Sequence, residues 1–229
     1  MKSHNETEIE KPIHGRWYDD ACGTAFGLEV VGERWALLVV RELMFGPLRF
    51  SDLRAALPGL SAKILTERLA GLERSGVLRR LSIFDPVPAR LYGLTEWGYA
   101  AEPIIQELGR WAAASPLHDP TLPLSPASFM LSLRTMLNRS AARDHAAEVA
   151  FAIGTARFTA RLTDGQLPVT RGDPEAPDLR FTADSAPPLA AIFYGNVDPE
   201  TVGVQVAGDP ELFASFVGLF ELPTPLASP

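Results

Sequence analysis

The residues of this 229-residue chain best suited to chemistry are cationic and hydroxyl side chains gathered in its first half. Ser61, Ala62, Lys63 and Thr66 open a helical segment in which Leu65, Leu69 and Leu72 form one buried stripe, so Ser61, Lys63 and Thr66 face away from the core. A helix of this kind offers polar side chains to base edges while its leucines anchor it, and its free N-terminal amides suit phosphate. Arg49 precedes it, Arg68 lies within it, and Arg79, Arg80 and Arg90 follow on two short extended segments, where a guanidinium reaches a phosphate or the minor groove. Together these residues are candidate contacts to double-stranded DNA.

Charge is distributed to match. The net charge is -7, but residues 119–229 carry most of the excess, with 7 Lys+Arg against 13 Asp+Glu. Residues 49–90 hold 8 basic side chains against 4 acidic ones, a local balance of +4. Lys and Arg clustered in this way gain affinity for nucleic acid by releasing condensed counterions.

Other chemistries find little support. There is no Gly-x-Ser-x-Gly elbow, no Gly-rich phosphate loop and no persuasive triad, so no enzyme is expected and no catalytic residue is assigned. Arg143-Asp144-His145 reads as a polar turn. Four scattered histidines and one cysteine give no metal spacing, and neither metal nor cofactor is expected. Cys22 precedes a helix, where amide dipoles lower a thiol pKa, and it is a redox-sensing candidate; the alternative is a small residue packed at an interface. No apolar run reaches the ~18 residues of a membrane span, and the N-terminus lacks a secretory signal, so a soluble cytoplasmic protein is expected.

The elements that position these residues can be read from periodicity. Trp35, Leu38, Val39, Glu42 and Leu43 mark a helix that Gly46-Pro47 ends; Phe50, Leu53 and Leu57 mark a second, stopped by Pro58-Gly59. Ser61 caps the third, which runs to Gly76. Val77 to Phe84 and Ala89 to Leu94 read as strands joined by Asp85-Pro86-Val87-Pro88. Thr95 caps a last helix with Trp97, Ala101, Ile104, Leu108 and Trp111 on one stripe, apolar enough to suggest a partner chain.

The run Leu28-Glu29-Val30-Val31-Gly32-Glu33-Arg34-Trp35, then Gly46-Pro47-Leu48-Arg49-Phe50-Ser51-Asp52-Leu53, Leu65-Thr66-Glu67-Arg68-Leu69 and Tyr92-Gly93-Leu94-Thr95 resembles the HxlR family of bacterial winged-helix regulators, allied to the MarR group. The resemblance covers roughly residues 20–112. It implies a homodimer joined through its first and last helices, two recognition helices reading an inverted repeat, and a wing around Pro86-Val87-Pro88 lying along the DNA. It also implies that a cysteine at the place of Cys22 senses oxidants or electrophiles. Two features depart from the family pattern: Gly23 and Ala62 stand where many relatives have proline, and the chain is nearly twice as long.

After a proline-rich linker at 115–126, the second half reads as a helix from Ser128 to Leu137, alternating strands, a hairpin turn at Asp164-Gly165, a helix at Pro187–Tyr194, a short strand at 202–206 and a closing helix at 210–220. This order resembles the sterol-carrier-protein type 2 fold, which encloses an apolar tunnel. Phe129, Leu133, Phe158, Phe181, Phe193, Tyr194, Phe213 and Phe216 are candidates to line it; the alternative is that they fill a solid core. The expected fold class is α+β: a polar arm at 1–20, a winged helix-turn-helix at 21–114, the linker, a small α/β sandwich with an antiparallel sheet and helices on one face at 127–222, and a tail at 223–229. The expected function is that of a dimeric, sequence-specific transcriptional regulator answering to a small apolar ligand. The alternatives are a lipid carrier that uses the winged helix for dimerisation, and a regulator switched through Cys22.

Overall fold

A computed structural model describes residues 18–84 and 88–226. The polar arm up to residue 17, the turn Asp85, Pro86 and Val87, and the last three residues of the tail lie outside the described residues.

The first half opens with α1 (Gly23–Val31), α2 (Ala36–Leu43), a two-residue strand β1 (Leu48–Arg49), α3 (Phe50–Ala56) and α4 (Ala62–Arg74). Ser61 caps α4 by accepting from the Ile64 amide at 3.2 Å. Leu65, Leu69 and Leu72 are buried against Val39, Val40 and Leu43 of α2 and Leu53 of α3, as their spacing predicts. A ribbon follows, β2 (Leu78–Phe84) and β3 (Pro88–Leu94), antiparallel, with Leu78 opposite Leu94; β1 joins the free edge of β3, in the order β1-β3-β2.

Thr95 caps the next turn, accepting from the Gly98 amide and donating to the Gly76 carbonyl. The single helix expected here is two: α5 (Glu96–Tyr99) and α6 (Glu102–Ala113). Pro103 is responsible, because it has no N–H for the carbonyl four residues back and its ring crowds that carbonyl. Gly98 packs so closely that a Cβ there would sit 2.1 Å from the Val77 carbonyl oxygen.

The second half comprises α7 (Pro126–Met136), β4 (Ala147–Ile153), β5 (Ala156–Leu162), β6 (Val169–Arg171), β7 (Leu179–Ala183), α8 (Ala186–Gly195), β8 (Gln205–Gly208) and α9 (Pro210–Val217). The strand expected at 202–206 begins later, because Pro199–Val202 winds into a 3-10 turn capped by Asp198 and closed by Gly203 at φ +69°. Asp164 and Gly165 both take positive φ, the conformation a tight hairpin turn requires.

The sheet is mixed, in the order β6-β5-β4-β7-β8, with β4 and β7 parallel. This corrects the antiparallel expectation. The chain leaves β6 and crosses back beneath the sheet through residues 172–178 before entering β7 on the far side of β4. Asp173 pins that crossover between Arg157 of β5 and Arg180 of β7. Ala150 and Ala152 of β4, which share that face, are buried beside it. The opposite face carries Val149, Phe151, Phe158 and Phe181, and α7, α8 and α9 lay Phe129, Phe193 and Phe213 onto it.

The proline-rich stretch connects two halves that share one continuous apolar core. Phe45, just after α2, meets Phe158 edge to face at 5.7 Å. Glu42, only 1% exposed, accepts from Ser125 Oγ at 2.7 Å and from both Arg41 Nε and Nη2. Arg134 of α7 pairs with Glu102 of α6 at 2.9 Å, and Arg110 donates to the Thr135 carbonyl. No helix among the described residues is long and apolar enough to cross a membrane.

Candidate nucleic-acid interface

The outward face of α4 forms from simple periodicity. With its leucines turned inward, Lys63, Thr66, Glu67 and Arg74 are left exposed at i, i+3, i+4 and i+11. Thr66 returns its hydroxyl to the Ala62 carbonyl at 2.9 Å. Ser61 uses an oxygen lone pair for its cap, and its O–H stays able to donate. Ala62 is half-buried, with a side chain too short to obstruct the helix start. Lys63 makes no ion pair among the described residues.

Arg68 does not join this face. Its Nε donates to the Arg34 carbonyl at 3.0 Å, its Nη2 pairs with Glu33 at 3.0 Å, and its side chain is only 17% exposed. Those bonds hold the turn between α1 and α2, where Trp35 sits in the left-handed region at φ +78° with the Arg34 guanidinium over its ring. A non-glycine residue there costs about 1–3 kcal/mol, and the Arg68 bonds offset part of it. The spacing that placed Arg68 on α4 was sound; its reach back to the preceding turn left no mark in the sequence.

The ribbon separates its arginines by strand alternation. Arg80 is paired with Tyr92 and Ser82 with Arg90, which puts Arg80 and Arg90 on one face; Arg79, opposite Gly93, shares the other with Arg49, opposite Leu91. All four are exposed. Arg80 holds Glu73 at 2.9 Å, but an exposed pair of this kind is worth under about 1 kcal/mol, so a phosphate can take the guanidinium over. The wing tip at Pro86 and Val87 lies outside the described residues. Glu67 was not anticipated as a member of the α4 face. Its position four residues after Lys63 was the available signal, and a carboxylate there can accept from a cytosine amine.

Cys22 is exposed and is the N-cap residue of α1. The Thr24 and Ala25 amides at this helix end, together with the Thr24 hydroxyl, draw its thiol below the usual range, although no capping hydrogen bond to the side chain forms.

The candidate ligand residues divide. Phe129, Leu133, Phe158, Phe181 and Phe216 are fully buried; Phe181 stacks on Phe151 at 5.1 Å, and Phe193 stands edge-on to Phe129 at 5.6 Å. Phe158 stands apart from that cluster, beside Phe45 and beneath the Arg171 guanidinium at 5.0 Å. Phe193, also buried, and the half-buried Tyr194 and Phe213 border an open groove of about 510 Å3 between α8 and α9. Tyr194 bonds to Ser132 Oγ at 2.7 Å, and burial pushes its phenol up, so it stays neutral.

A three-helix core with a tight turn before α4 and an antiparallel ribbon behind it defines a winged helix-turn-helix domain. The profile of the HxlR-like helix-turn-helix family matches residues 30–118. The chain is 42% identical over 86 residues to YvaP of Bacillus subtilis, an uncharacterized HTH-type transcriptional regulator, covering 37% of this chain and 79% of that one. To the HTH-type transcriptional regulator YodB of the same organism it is 37% identical over 89 residues, covering 39% and 78%. The structure of the reduced form of YodB superposes with a TM-score of 0.38 at 33% identity, over 41% of this chain and 92% of that one. Through its first half, the chain belongs to the HxlR-like helix-turn-helix family.

Proposed function

We propose that the chain is a dimeric, sequence-specific DNA-binding transcriptional regulator that works by binding alone, without catalysis. The observation that carries this reading is the outward face of α4, where Lys63 and Thr66 stand exposed beside a capped helix N-terminus and next to a ribbon bearing arginines on both faces. The relatives' naming as HTH-type transcriptional regulators supports it.

Dimerisation is supported by α6. It has no buried residue, yet it presents Ile104, Leu108 and Trp111 (the last 72% exposed) on one stripe. Phe26 and Leu28 of α1 add further exposed apolar surface. A patch of this kind marks an interface more often than open surface. Two protomers joined there carry two copies of α4, which suits an inverted repeat.

Selection of genomic fragments on the purified protein, followed by anisotropy at two salt concentrations, tests the reading. An inverted repeat bound about a thousandfold more tightly than random DNA, by a species of dimer mass, is the expected result. Equal weak binding to both DNAs would sink it and favour the lipid-carrier alternative.

Control by a small apolar ligand in the second half belongs to the same proposal. The aromatic cluster beneath the helices leaves the groove between α8 and α9, lined by Ile192, Phe193, Phe213 and Val217, as its place of entry. Linkage requires the ligand to prefer one spacing of the recognition helices, and about 1–3 kcal/mol of coupling suffices.

The amides around Cys22 favour a second input. With its thiol pKa lowered, Cys22 alkylates with iodoacetamide along a pH profile whose midpoint lies below that of an unperturbed cysteine, and oxidant alters operator binding in wild type but not in Cys22→Ser. A midpoint at the free-cysteine value would remove this input.

A further inference from the structure

We propose that the cleft between the winged helix and the second half is a binding site for an organic monocarboxylate with an aromatic or alicyclic body. The cleft has a volume of about 550 Å3 and lies where α5 and α6 face the end of α7 and the turn after β5. Its apolar walls are Tyr99, Pro103, Leu137, Leu167 and Pro168. Its charged groups are Arg134, Arg139 and Glu102, two guanidinium groups against one carboxylate, in a half of the chain that is otherwise strongly acidic.

Those groups are unequally occupied. Glu102 receives both Arg134 and Gln106 on the same oxygen, Oε1, each at 2.9 Å. Burial raises the Glu102 pKa, which the charges of Arg134 and Arg139 oppose. Arg139 is exposed at the rim and makes no ion pair or side-chain hydrogen bond among the described residues. A planar carboxylate fits a guanidinium fork, and the surplus of one positive charge fits a monoanion. The ring or chain of such an acid is then covered by the apolar walls, the usual division of labour in a small-molecule site. The cleft touches α6 on its first turn, so occupancy ties the proposed dimerisation helix to the second half; only that consequence rests on the regulator reading.

Titration calorimetry on the full chain, without DNA, tests the site separately from the function. Hydrocinnamate is the probe and hydrocinnamamide its neutral counterpart. The acid is expected to saturate at one site per chain, with the amide at least about tenfold weaker. Arg139→Ala weakens the acid by at least about tenfold while the thermal transition stays in place, since Arg139 holds nothing else together. Glu102→Gln keeps a partner for Arg134, removes the competing charge and tightens binding several-fold. Ala214→Trp, which fills the groove between α8 and α9, leaves the acid unaffected. Equal binding of acid and amide, full affinity in Arg139→Ala, loss of binding in Ala214→Trp, or no saturable heat from the acid would each overturn the proposal.

Discussion

Lys63→Ala lowers affinity for the selected operator more than about thirtyfold and affinity for random DNA only a few-fold. Lys63 stands in the first turn of α4, exposed, on the side opposite Leu65, Leu69 and Leu72. A side chain in that position reaches a base edge, where a good contact is worth about 1–3 kcal/mol. Both protomers lose it at once on a two-half-site operator, and twice the lower figure already gives the thirtyfold. Arg90→Ala is the contrast. Arg90 is exposed on the ribbon, and in the proposed complex it meets phosphate, so its loss weakens operator and random DNA alike and reduces the salt slope by about two, one for each protomer. Anisotropy on the two DNAs at several salt concentrations separates the cases. Equal losses for Lys63→Ala would make it a phosphate contact and leave Thr66 and Glu67 as the base readers on that face.

What could be read in the sequence was whatever depends on short-range periodicity and caps. The leucines of α4, the Ser61 cap, the ribbon and the Asp164-Gly165 turn are local, and each lies where spacing placed it. The errors arose where a distant partner decides. Arg68 sits on α4 with the right spacing, but its guanidinium is held by Glu33 and Arg34. Alternation gave the strands of the second half, yet nothing local in Leu179 or Phe181 shows that β7 enters beside β4 in parallel. Pro103 was a local signal for the break between α5 and α6, outweighed by an apolar stripe that continues across it. The aromatic candidates share one composition, and only packing shows that Phe129, Phe181 and Phe193 are core while Tyr194 and Phe213 are half-buried beside a groove.

The junction between the halves was the least legible feature, and it yields the second large effect. Phe45→Ala lowers stability by about 3–4 kcal/mol and makes the two halves unfold separately. Phe45 is buried, stands edge to face on Phe158 and lies beneath the Arg134 guanidinium at 6.0 Å. Truncating such a side chain loses its transfer free energy and leaves a cavity that the rigid sheet beneath cannot close. The polar contacts around it do not compensate. Arg171 is half-buried over Phe158, its Nε without a hydrogen-bond partner among the described residues, and burial draws its pKa down against the pull of Glu42 and Asp52, so this region already carries desolvated charge. Trp35, Trp97 and Trp111 all lie in the winged helix and no tryptophan lies in the second half, so a fall in tryptophan emission reports the winged helix, whereas far-ultraviolet circular dichroism follows both halves. In the wild type the two signals fall together with denaturant, as one shared core requires. In Phe45→Ala they part. Coincident transitions with a loss below about 1 kcal/mol would show that the halves are joined by the polar contacts of Glu42, Ser125, Arg134 and Glu102 instead.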